Sequence, residues 1–447
     1  MRKLFTIFTL LSISFGFATD RFVDPNLSSG NGTTLFTNIT SAVAAAQNGD
    51  RIIIASSTYN EAALTIGKSL QIMPQTPGTT ISFNANITIA GFPGMKLEIS
   101  GFNLGIYSIN SVVLVNGSIN NRAKVSIINC TANYIDFNND FYKVNIIENS
   151  VSKGIIFRFG NVVKNITKQI SLLDEPQNNP NSVEKNLIIA NQVQYLIGIY
   201  NNDYMIVLAN NTMRDLSFRR WNANTIIKNY IINNEFTADC VLHFSTANVP
   251  YYNIIFSSNK FNSSFRMNQM SSGGTSVTDK NYNADQDYLG FDYDSWMPRW
   301  AWCCNGPNGW YYLNGPETPT SMPSFSANNW STNGSTSYLN TSVQGFFEFS
   351  YNGITSNMAI PGAGSPLNFT NIQGSLNDIN GGNPNHFFYD IDLTINDRGV
   401  NGGPYSLLNY NAANPNNSKA FIFDLDMPTD LFPGQNVEIK AQGYHKN

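Results

Sequence analysis

The sequence is poor in charge. Asp, Glu, Lys and Arg make up 13% of its 447 residues, against about 25% in a typical soluble protein. The apolar share is 42%, and this excludes a disordered chain, because disorder requires few apolar residues. Neutral polar residues, chiefly Asn, replace the missing charge. A formal net charge of -4 supplies no basic surplus for a polyanionic partner such as nucleic acid, so we expect no nucleic-acid partner.

Cysteine is scarce as well. Four Cys residues in the whole chain exclude a disulfide scaffold, so the apolar core must supply the stability. Cys303 and Cys304 are adjacent; free thiols or one ordinary bridge are the simpler interpretation, and a metal or redox role is the alternative. Cys130 and Cys240 are predicted to lie on the order of 20 Å apart along a stack of strands, too far for a mutual bridge.

Long apolar runs are absent after the N-terminus. Met1–Lys3 carry two positive charges, Leu4–Phe17 form an apolar run, and small residues precede a cleavage position after Ala18. This pattern is typical of a secretory signal peptide, and its apolar run is shorter than the roughly 20 apolar residues of a transmembrane anchor. We therefore expect a secreted or outer-surface protein without a transmembrane segment in its mature chain.

The first part of the mature chain predicts a strand at Asp20–Asp24 and then one short helix. The apolar residues Phe36, Ile39, Val43 and Ala46 recur at helical spacing. Thr37 or Asn38 can cap the start of this helix, and Gly49 lies where a left-handed residue ends a helix.

From Arg51 onwards the sequence predicts strands that recur about every 20 residues. In the shared template an apolar residue precedes a small polar residue by three positions, and another usually follows by two. The polar positions are Ser100, Asn116, Cys130, Asn149, Asn191, Asn211, Asn234 and Asn259. The one long interval, between Asn149 and Asn191, predicts two turns with an insertion around Pro176–Pro180.

Such a period is typical of a solenoid in which each turn stacks on the one before it. The apolar residues would point into a shared interior, and the recurring Asn would lie at a corner, in a left-handed backbone conformation and hydrogen-bonded to the next Asn. Loop bias is the alternative cause of the Asn excess, but it leaves the flanking apolar positions unexplained. Residues 51–270 would form about ten or eleven turns.

Two further segments carry a resemblance to a known family. Residues 44–61, AAAQNGDRIIIASSTYNE, resemble the entry into a right-handed parallel β-helix of the pectin-lyase-like superfamily, and particularly of secreted Bacteroidetes-type β-helix repeat proteins. Gly381–Pro384, Asp390–Asp392, Asn396–Gly399 and Gly402–Tyr405 resemble the closing segment of those proteins. The resemblance implies an all-β, right-handed parallel β-helix solenoid with a short N-terminal capping helix and a C-terminal β cap.

The resemblance also suggests a carbohydrate enzyme, because the superfamily includes pectate and alginate lyases and polygalacturonases. However, the sequence lacks the paired aspartates and Gly-His-Gly of polygalacturonases, the Ser-x-Lys-Ser of alginate lyases and the Trp-Ile-Asp-His of pectate lyases. Of its three His residues, only His243 lies among the predicted turns, and a structural role is the simpler interpretation of that residue.

One group of charged residues on neighbouring turns is a candidate catalytic set for proton abstraction. It comprises Asp203, Asp215, Arg219, Arg220 and Lys228, with Arg214 beside them. Solvated corners of the solenoid fit the same spacing.

The composition changes after Ser271, where aromatic residues cluster. Stacking of aromatic rings on sugars suits such a segment, and the carbohydrate-binding candidates are Trp296, Trp300, Trp302, Trp310, Tyr311 and Trp330. The alternative is a satellite core, in which the segment buries its own Trp residues.

Calcium is a candidate cofactor, because oxygen-bearing side chains alternate upstream of those Trp residues. The candidate ligands are Asp279, Asn281, Asn283, Asp285 and Asp287. The pattern is not an EF-hand, since Gly290 occupies the twelfth position. Asp390, Asp392 and Asp397 form a second candidate set, for which the fixing of turns is the alternative role.

The predicted organisation has six parts: a signal peptide (1–18), a strand and capping helix (19–50), β-helix turns (51–270), an aromatic-rich irregular insertion (271–345), last turns with a closing segment (346–418) and a hairpin cap (419–447). We expect a glycan-binding protein or interaction scaffold whose partner is an extracellular polysaccharide or cell-surface component. The alternative is a polysaccharide lyase or hydrolase that acts on an acidic polysaccharide.

Overall fold

The fold was established from a computed structural model of the chain. The structure describes residues 18–112, 121–139, 141–173, 185–200, 204–219, 228–237, 240–246, 253–261, 265–271, 300–302, 310–312, 328–330, 346–350, 353–354, 368–370, 373–374, 379–384, 388–390, 393–397, 399–406, 421–426 and 440–444. The predicted signal peptide therefore lies, except for Ala18, outside the described residues.

The described chain is nearly all β and forms two long sheets of stacked strands. The first sheet has 14 strands: β1 (Asp20–Val23), β2 (Leu35–Phe36), β3 (Arg51–Ile54), β6 (Gln71–Pro74), β9 (Lys96–Ser100), β12 (Ala123–Ile128), β14 (Tyr142–Ile147), β16 (Gly160–Val163), β18 (Lys185–Ile189), β20 (Met205–Ala209), β23 (Lys228–Ile232), β26 (Asn253–Ser257), β32 (Phe346–Ser350) and β34 (Asn368–Thr370).

The second sheet has 19 strands, several of them short. They are β4 (Thr58–Tyr59), β5 (Leu64–Ile66), β7 (Ile81–Phe83), β8 (Ile87–Ile89), β10 (Phe102–Asn103), β11 (Ile109–Ser111), β13 (Thr131–Phe137), β15 (Ser150–Phe157), β17 (Ile166–Leu172), β19 (Gln192–Tyr200), β21 (Thr212–Met213), β22 (Asp215–Arg219), β24 (Glu235–Phe236), β25 (Cys240–Thr246), β27 (Lys260–Phe261), β28 (Phe265–Ser271), β31 (Asn328–Trp330), β33 (Gly353–Ile354) and β35 (Gln373–Gly374).

The chain alternates between the two sheets, and successive strands within each sheet pair in parallel, except for β31. This is the expected all-β parallel β-helix. Ten strands of the first sheet fall between residues 51 and 270, so that stretch makes ten turns. One turn begins at β9 and the next at β12, because these two strands pair directly, with Lys96 opposite Lys124. The extra turn predicted at Asn116 is therefore wrong.

The predicted alignment of the β9 turn is also out of register by two residues. Ile99 pairs with Ile127, whereas the template placed Leu97 in that column. Leu97 and Ile99 are both buried in the core, so apolar spacing alone fits either alignment. The later turns, which carry a ladder Asn, are free of this ambiguity.

The asparagine ladder lies at the buried corner that follows the first sheet in each turn. Its members are Asn149, Asn165, Asn191, Asn211, Asn234 and Asn259, each at most 2% exposed. From Asn165 onwards, each Oδ1 accepts hydrogen bonds from the backbone N–H and the side-chain amide of the preceding ladder Asn, at distances of 2.9 to 3.0 Å. Asn165 supplies the second turn predicted between Asn149 and Asn191.

The left-handed residue of each corner is the one before the ladder Asn. These residues are Asn129, Glu148, Lys164, Ala190, Asn210, Asn233 and Ser258, with φ between 51° and 59°. The prediction that the ladder Asn itself adopts this conformation is wrong. The preceding residue makes the bend, and the ladder residue then directs its amide along the stack.

The N-terminal helix α1 (Ile39–Ala45) covers the first turns, as predicted. Asn38 caps it by accepting a hydrogen bond from the Ser41 N–H at 2.8 Å. The helix ends at Ala46, whose φ is -66°, so Gly49, at φ 97°, bends the following connection and does not end the helix. Ammonium Nζ of Lys68 instead donates to the exposed carbonyls of the last turn of α1, where a cation is favoured.

The outer face of the first sheet changes character along the stack. Its early strands alternate between buried residues and partly or fully exposed ones, as in β3 and β6. In β18 and β20 the last four residues are all buried, which is the pattern of strands covered on both faces. The cover is the described part of the closing segment (379–384, 388–390, 393–397 and 399–406), whose Phe388 belongs with Leu187 and Ile189 to a second apolar cluster.

Four further strands form two antiparallel hairpins. Strands β29 (Trp300–Trp302) and β30 (Trp310–Tyr312) pair within the aromatic segment, and β36 (Phe421–Asp426) pairs with β37 (Lys440–Tyr444). The second hairpin was predicted, and its capping position stays a prediction. Within the described residues, no helix is long and apolar enough to cross a membrane.

Candidate functional site

A row of mostly polar and small residues, interrupted by the buried Ile156, crosses the outer face of the second sheet. In register order it contains Asn110, Asp136, Ile156, Ser171, Gly198, Ser217, His243, Asn268 and Asn329. We call it the polar row. Its positions alternate with a core column that includes Ile197 and Leu216, both fully buried. The row follows the axis of the solenoid, and neighbouring members are about 4.8 Å apart.

The β22 section of this row gathers several ionisable residues. Asp215, Ser217 and Arg219 occupy alternate positions of β22, and therefore lie on the face opposite the core residue Leu216. Ser217 is paired with His243 of β25. The register thus places a carboxylate, a hydroxyl, a guanidinium and an imidazole residue on two adjacent strands.

The earlier part of the face is largely buried, and its polar residues are neutral except for Asp136 and Lys153. Gly154 pairs with Gln169, and Ser171 pairs with Gly198. Gln169 is 2% exposed and Ser171 fully buried, and the amide of Gln169 donates a hydrogen bond of 3.1 Å to the Ser171 hydroxyl. Neutral partners thus satisfy these polar groups, and neither residue is ionisable.

Asp136 is the carboxylate at the upstream end of the row. Burial raises the pKa of Asp136, although the Asn138 N–H and the charge of Arg158 favour its ionised form. Arg158 also donates from Nε to the Asn138 side chain at 3.0 Å. Asp136 is therefore held in a small polar network with a cation nearby.

The predicted catalytic set is only partly brought together. Asp215 and Arg219 share β22 in the second sheet, but Lys228 begins β23 and pairs with Asn253 in the first sheet. Lys228 therefore does not share a sheet with the other two, contrary to the single-sheet site that the prediction required. Asp203 and Arg220 lie outside the described residues.

The described residues of the aromatic segment include one hairpin, and the predicted irregular character of the insertion stays a prediction. Its hairpin pairs Trp300 with Tyr312 and Trp302 with Trp310. Because directly opposed residues of an antiparallel pair share a face, these four positions lie on one face of the hairpin. The predicted residue Tyr311 pairs with Ala301 and belongs to the other face.

The remaining aromatic candidates differ from the hairpin. Trp330 lies in β31, which pairs antiparallel with β28 and so joins the second sheet. Its partner Met267 pairs with Leu242, which pairs with the buried Leu216. Trp330 is therefore in register with residues on the core side of the sheet, and this position favours packing over sugar binding. Trp296 lies outside the described residues, as do Cys303 and Cys304.

The calcium-binding prediction for the first candidate set stays a prediction. Asp279, Asn281, Asn283, Asp285 and Asp287 lie outside the described residues. No group of three metal-binding side chains occurs in the part of the chain that the structure describes.

In the second candidate set, the carboxylates of Asp390 and Asp397 instead hold the turns of the closing segment. Asp390 accepts the backbone N–H groups of Asp397 and Gly403, and Asp397 accepts that of Asn380 at 2.6 Å. The alternative role of these residues, the fixing of turns, is thus confirmed. Asp392 is not among the described residues.

Sequence reasoning did not single out Ser217, and its structural interpretation of His243 stays a prediction. A period-2 pattern in Val241–Phe244 was visible, but the pairing of Ser217 with His243, 26 residues later in the chain, is set by the register between turns. Comparison of the chain with protein-family models, curated proteins and solved structures finds no match.

Proposed function

We propose that this chain is an exported, glycan-binding β-helix protein and a divergent member of the pectin-lyase-like superfamily. One observation carries the proposal: strand β31 of the aromatic insertion pairs with β28, which is itself paired with the His243 strand β25. Strand β31 of the aromatic segment therefore belongs to the sheet that carries the polar row, whereas the β29–β30 hairpin forms a two-stranded sheet of its own.

The polar row and the aromatic hairpin offer the two kinds of contact that sugars require. Hydroxyl groups of a glycan take hydrogen bonds from amide, hydroxyl and carboxylate side chains, such as those of the polar row. The apolar C–H faces of sugars stack on aromatic rings. Four aromatic residues at one face of a two-stranded hairpin supply such a platform.

Affinity electrophoresis of the mature protein against a panel of neutral and acidic polysaccharides tests this proposal. Trp302→Ala and Trp310→Ala should weaken binding about tenfold each, the effect of losing about 1.4 kcal/mol of ring burial. Tyr311→Ala, on the other face of the same hairpin, is the matched control and should retain binding. If all three variants bind polysaccharide as well as the wild-type protein, the hairpin is not the binding site. If the wild-type protein binds none of the polysaccharides, the proposal is overturned.

A second candidate function is cleavage of an acidic polysaccharide, and the pairing of Ser217 with His243 between Asp215 and Arg219 favours it. His243 is suited to remove or donate a proton near neutral pH. Arg219 can neutralise a uronate carboxylate, and this would make the proton on the neighbouring carbon easier to abstract. Elimination would then break the glycosidic C–O bond and form a C=C bond, with the proton passing to the leaving oxygen.

Uronic-acid polymers distinguish binding from cleavage. Elimination produces unsaturated ends that absorb ultraviolet light, and hydrolysis produces new reducing ends without that absorbance. His243→Ala and Arg219→Ala should abolish either activity, whereas Ser152→Ala, an exposed position of β15, should not. If the wild-type protein yields neither product across the panel, with and without calcium, the enzymatic alternative is rejected and the binding proposal stands alone.

A further inference from the structure

The carboxylate of Asp50 lies where the first strand meets the connection that follows helix α1. Asp50 is 3% exposed and directly precedes β3. Its Oδ2 accepts hydrogen bonds from the Gln47 N–H at 2.8 Å and from Nε of Arg21 at 2.7 Å. Its Oδ1 accepts a hydrogen bond from the backbone N–H of Thr19 at 2.9 Å. One buried carboxylate therefore joins the end of α1 to the start of β1.

Pairing between β1 and β3 holds the nitrogen of Thr19 in place. Thr19 directly precedes β1, and its carbonyl accepts a hydrogen bond from the Arg51 N–H at 3.1 Å. The next residue, Asp20, is opposite Arg51 in the ladder, and their side chains form an ion pair of 2.6 Å. The backbone of Thr19 is thus fixed on the β3 side, and its nitrogen stays opposite Asp50.

The predicted cleavage of the signal peptide falls on this same nitrogen. The pattern of charged, apolar and small residues places the cleavage between Ala18 and Thr19. Hydrolysis breaks the C–N bond between them; water supplies an oxygen to the Ala18 carboxylate and a proton to the Thr19 amine. The new amine is protonated below its ordinary pKa of about 7.7 to 8.0. Cleavage therefore places an ammonium group at the atom that donates to Asp50.

An ammonium group binds a carboxylate more strongly than a peptide N–H does. It carries a full positive charge and three donors, whereas the amide is neutral and has one. Burial opposes ionisation of the carboxylate, but hydrogen bonds from Gln47 and Thr19 and the charge of Arg21 outweigh it, so its pKa lies below 3.8. The carboxylate is therefore charged at neutral pH. Because it is buried, solvent screens its attraction to the ammonium group only weakly.

The site lies at an end of the solenoid, where a stack of turns is least supported. Each turn contacts only its neighbours, so a terminal turn is stabilised from one side and by its cap. Val23 of β1 and Ile39 and Val43 of α1 are buried in the core at this end. The backbone carbonyl of Asp50 also accepts the Gln71 N–H of the next turn at 3.1 Å. Stronger binding at Asp50 would therefore stabilise the cap and the first turns together.

We infer that Asp50 is the binding site for the N-terminal ammonium group of the mature chain, and that cleavage after Ala18 completes the N-terminal cap. The inference rests on the export that is part of the proposed function, and it adds to export a step that depends on processing. The uncleaved chain has the neutral hydrogen bond without the ion pair. The folded cap is consequently more stable after processing than before it.

Three forms of the full mature chain that differ only at the N-terminus test the inference. The first starts at Thr19 with a free amine, the second starts at Thr19 with an acetylated amine, and the third starts at Ala18. Acetylation restores a neutral N–H, and the additional Ala18 moves the ammonium group by about 3.5 Å. In urea unfolding below the pKa of the amine, the first form should have a folded-to-unfolded equilibrium constant about fivefold to thirtyfold above the others.

Substitution of the receptor carboxylate provides the matched comparison. Asp50→Asn should abolish the difference between the free and acetylated Thr19 forms, because a neutral amide cannot form the ion pair. Asp20→Asn removes a neighbouring carboxylate whose partner is Arg51, and it should preserve the difference. A difference that persists in Asp50→Asn would overturn the inference. Equal stability of the three unsubstituted forms would also overturn it, and that comparison does not depend on the folding of any variant.

Sequencing of the exported protein separates this inference from the proposed function. The first residue should be Thr19, and a mature chain that starts at any other residue would overturn the inference irrespective of glycan binding. If the Thr19 form is the most stable one but binds no polysaccharide, the glycan-binding proposal fails and the inference stands. If it binds polysaccharide but is no more stable than the acetylated form, the inference fails and the proposed function stands.

Discussion

The side-chain amides of Asn233 and Asn396 form a reciprocal pair across 163 residues of sequence. Asn233 donates to Asn396 at 2.7 Å, and Asn396 donates back at 3.1 Å. Both residues are fully buried. Asn233 is one of the left-handed corner residues, so the bend that precedes the ladder also presents an amide to the closing segment.

This pair is one of several contacts that join the closing segment to the corners. Asn210 donates to the carbonyls of Val400 and Gly402 at 2.9 and 2.6 Å, and the Ser258 hydroxyl accepts from the Asn383 N–H at 2.9 Å. The left-handed residues of three consecutive turns thus act as an attachment line. The covered apolar cluster around Leu187 and Ile189 explains why the attachment is needed.

The first prediction concerns the coupling of Asn233 and Asn396. A double-mutant cycle of Asn233→Ala and Asn396→Ala, measured by urea unfolding, should give a coupling energy of about 1 to 3 kcal/mol, because either single change leaves a buried amide without its partner. Both single variants should also expose the closing segment to proteases. Strictly additive effects of the two changes would show that the pair does not hold the segment.

A second prediction concerns the asparagine ladder. Asn191 accepts two hydrogen bonds from Asn165 and donates to Val162 and Asn211. Asn191→Ala should cost about 3 kcal/mol or more, since several buried groups lose partners worth about 1 to 3 kcal/mol each.

Asn84→Ala is the matched control for the ladder, because its amide makes an exposed bond of 2.6 Å to Asn60 of the preceding turn. The control should lose less than about 1 kcal/mol, as is usual for surface changes. Thermal and urea unfolding of the two variants provide the comparison. A similar loss in both would mean that burial of the ladder adds nothing to its strength.

A third prediction concerns Cys130, which takes the place of an Asn at the upstream end of the ladder. Its N–H donates to Asn149 at 2.8 Å, and its thiol lies 3.3 Å from the Ile128 carbonyl. It is a free, buried cysteine, which confirms that it is not bridged to Cys240. Burial raises the pKa of Cys130 to about 12.

A chain that keeps only Cys130, with Cys240, Cys303 and Cys304 changed to Ser, should therefore resist thiol reagents at pH 8 until it unfolds. Labelling with a chromogenic disulfide in the presence and absence of denaturant measures this. Fast labelling of the native chain would place Cys130 at the surface, against the observed burial.

A fourth prediction concerns the buried ion pair between Arg21 and Asp50, whose atoms approach to 2.7 Å. Burial opposes ionisation of Asp50, but the N–H groups of Gln47 and Thr19 and the charge of Arg21 outweigh it, so the pKa of Asp50 lies below its usual value of 3.8. The ion pair therefore stabilises the folded protein fully above pH 3.8, the usual pKa of Asp. This stabilisation is lost as the pH falls through the lower pKa that Asp50 has in the folded state.

Asp50→Asn should cost about 3 kcal/mol at pH 7, because it leaves the Arg21 charge buried without its partner. It should also flatten the decline of stability in acid. Urea unfolding at pH 7 and in the acid range below pH 3.8 tests both points, with Asp20→Asn, the exposed partner of Arg51, as the control of small effect. If the free energy of unfolding of Asp50→Asn falls with decreasing pH as steeply as that of the wild-type protein, the lowered pKa of Asp50 does not contribute to the acid dependence.

The sequence by itself determined the local elements of this protein. Helix α1 could be predicted because Ile39 and Val43 repeat at helical spacing after Asn38, and the turns because Ile188, Asn191 and Val193 repeat a core-corner-core pattern. Both are short-range signals, in which a few neighbouring residues specify one conformation. The all-β solenoid followed from them, since repeated elements bury their apolar faces only by stacking.

The tertiary structure decided everything that depends on register between turns. Lys96 opposite Lys124, and Ser217 opposite His243, result from how far one turn is offset from the next, and a shift of one residue would move either pair to the other face. Likewise, only folding brings Asn396 to Asn233, because no local pattern encodes a partner 163 residues away. The candidate sites are long-range juxtapositions of this kind, whereas the solenoid that aligns them is local.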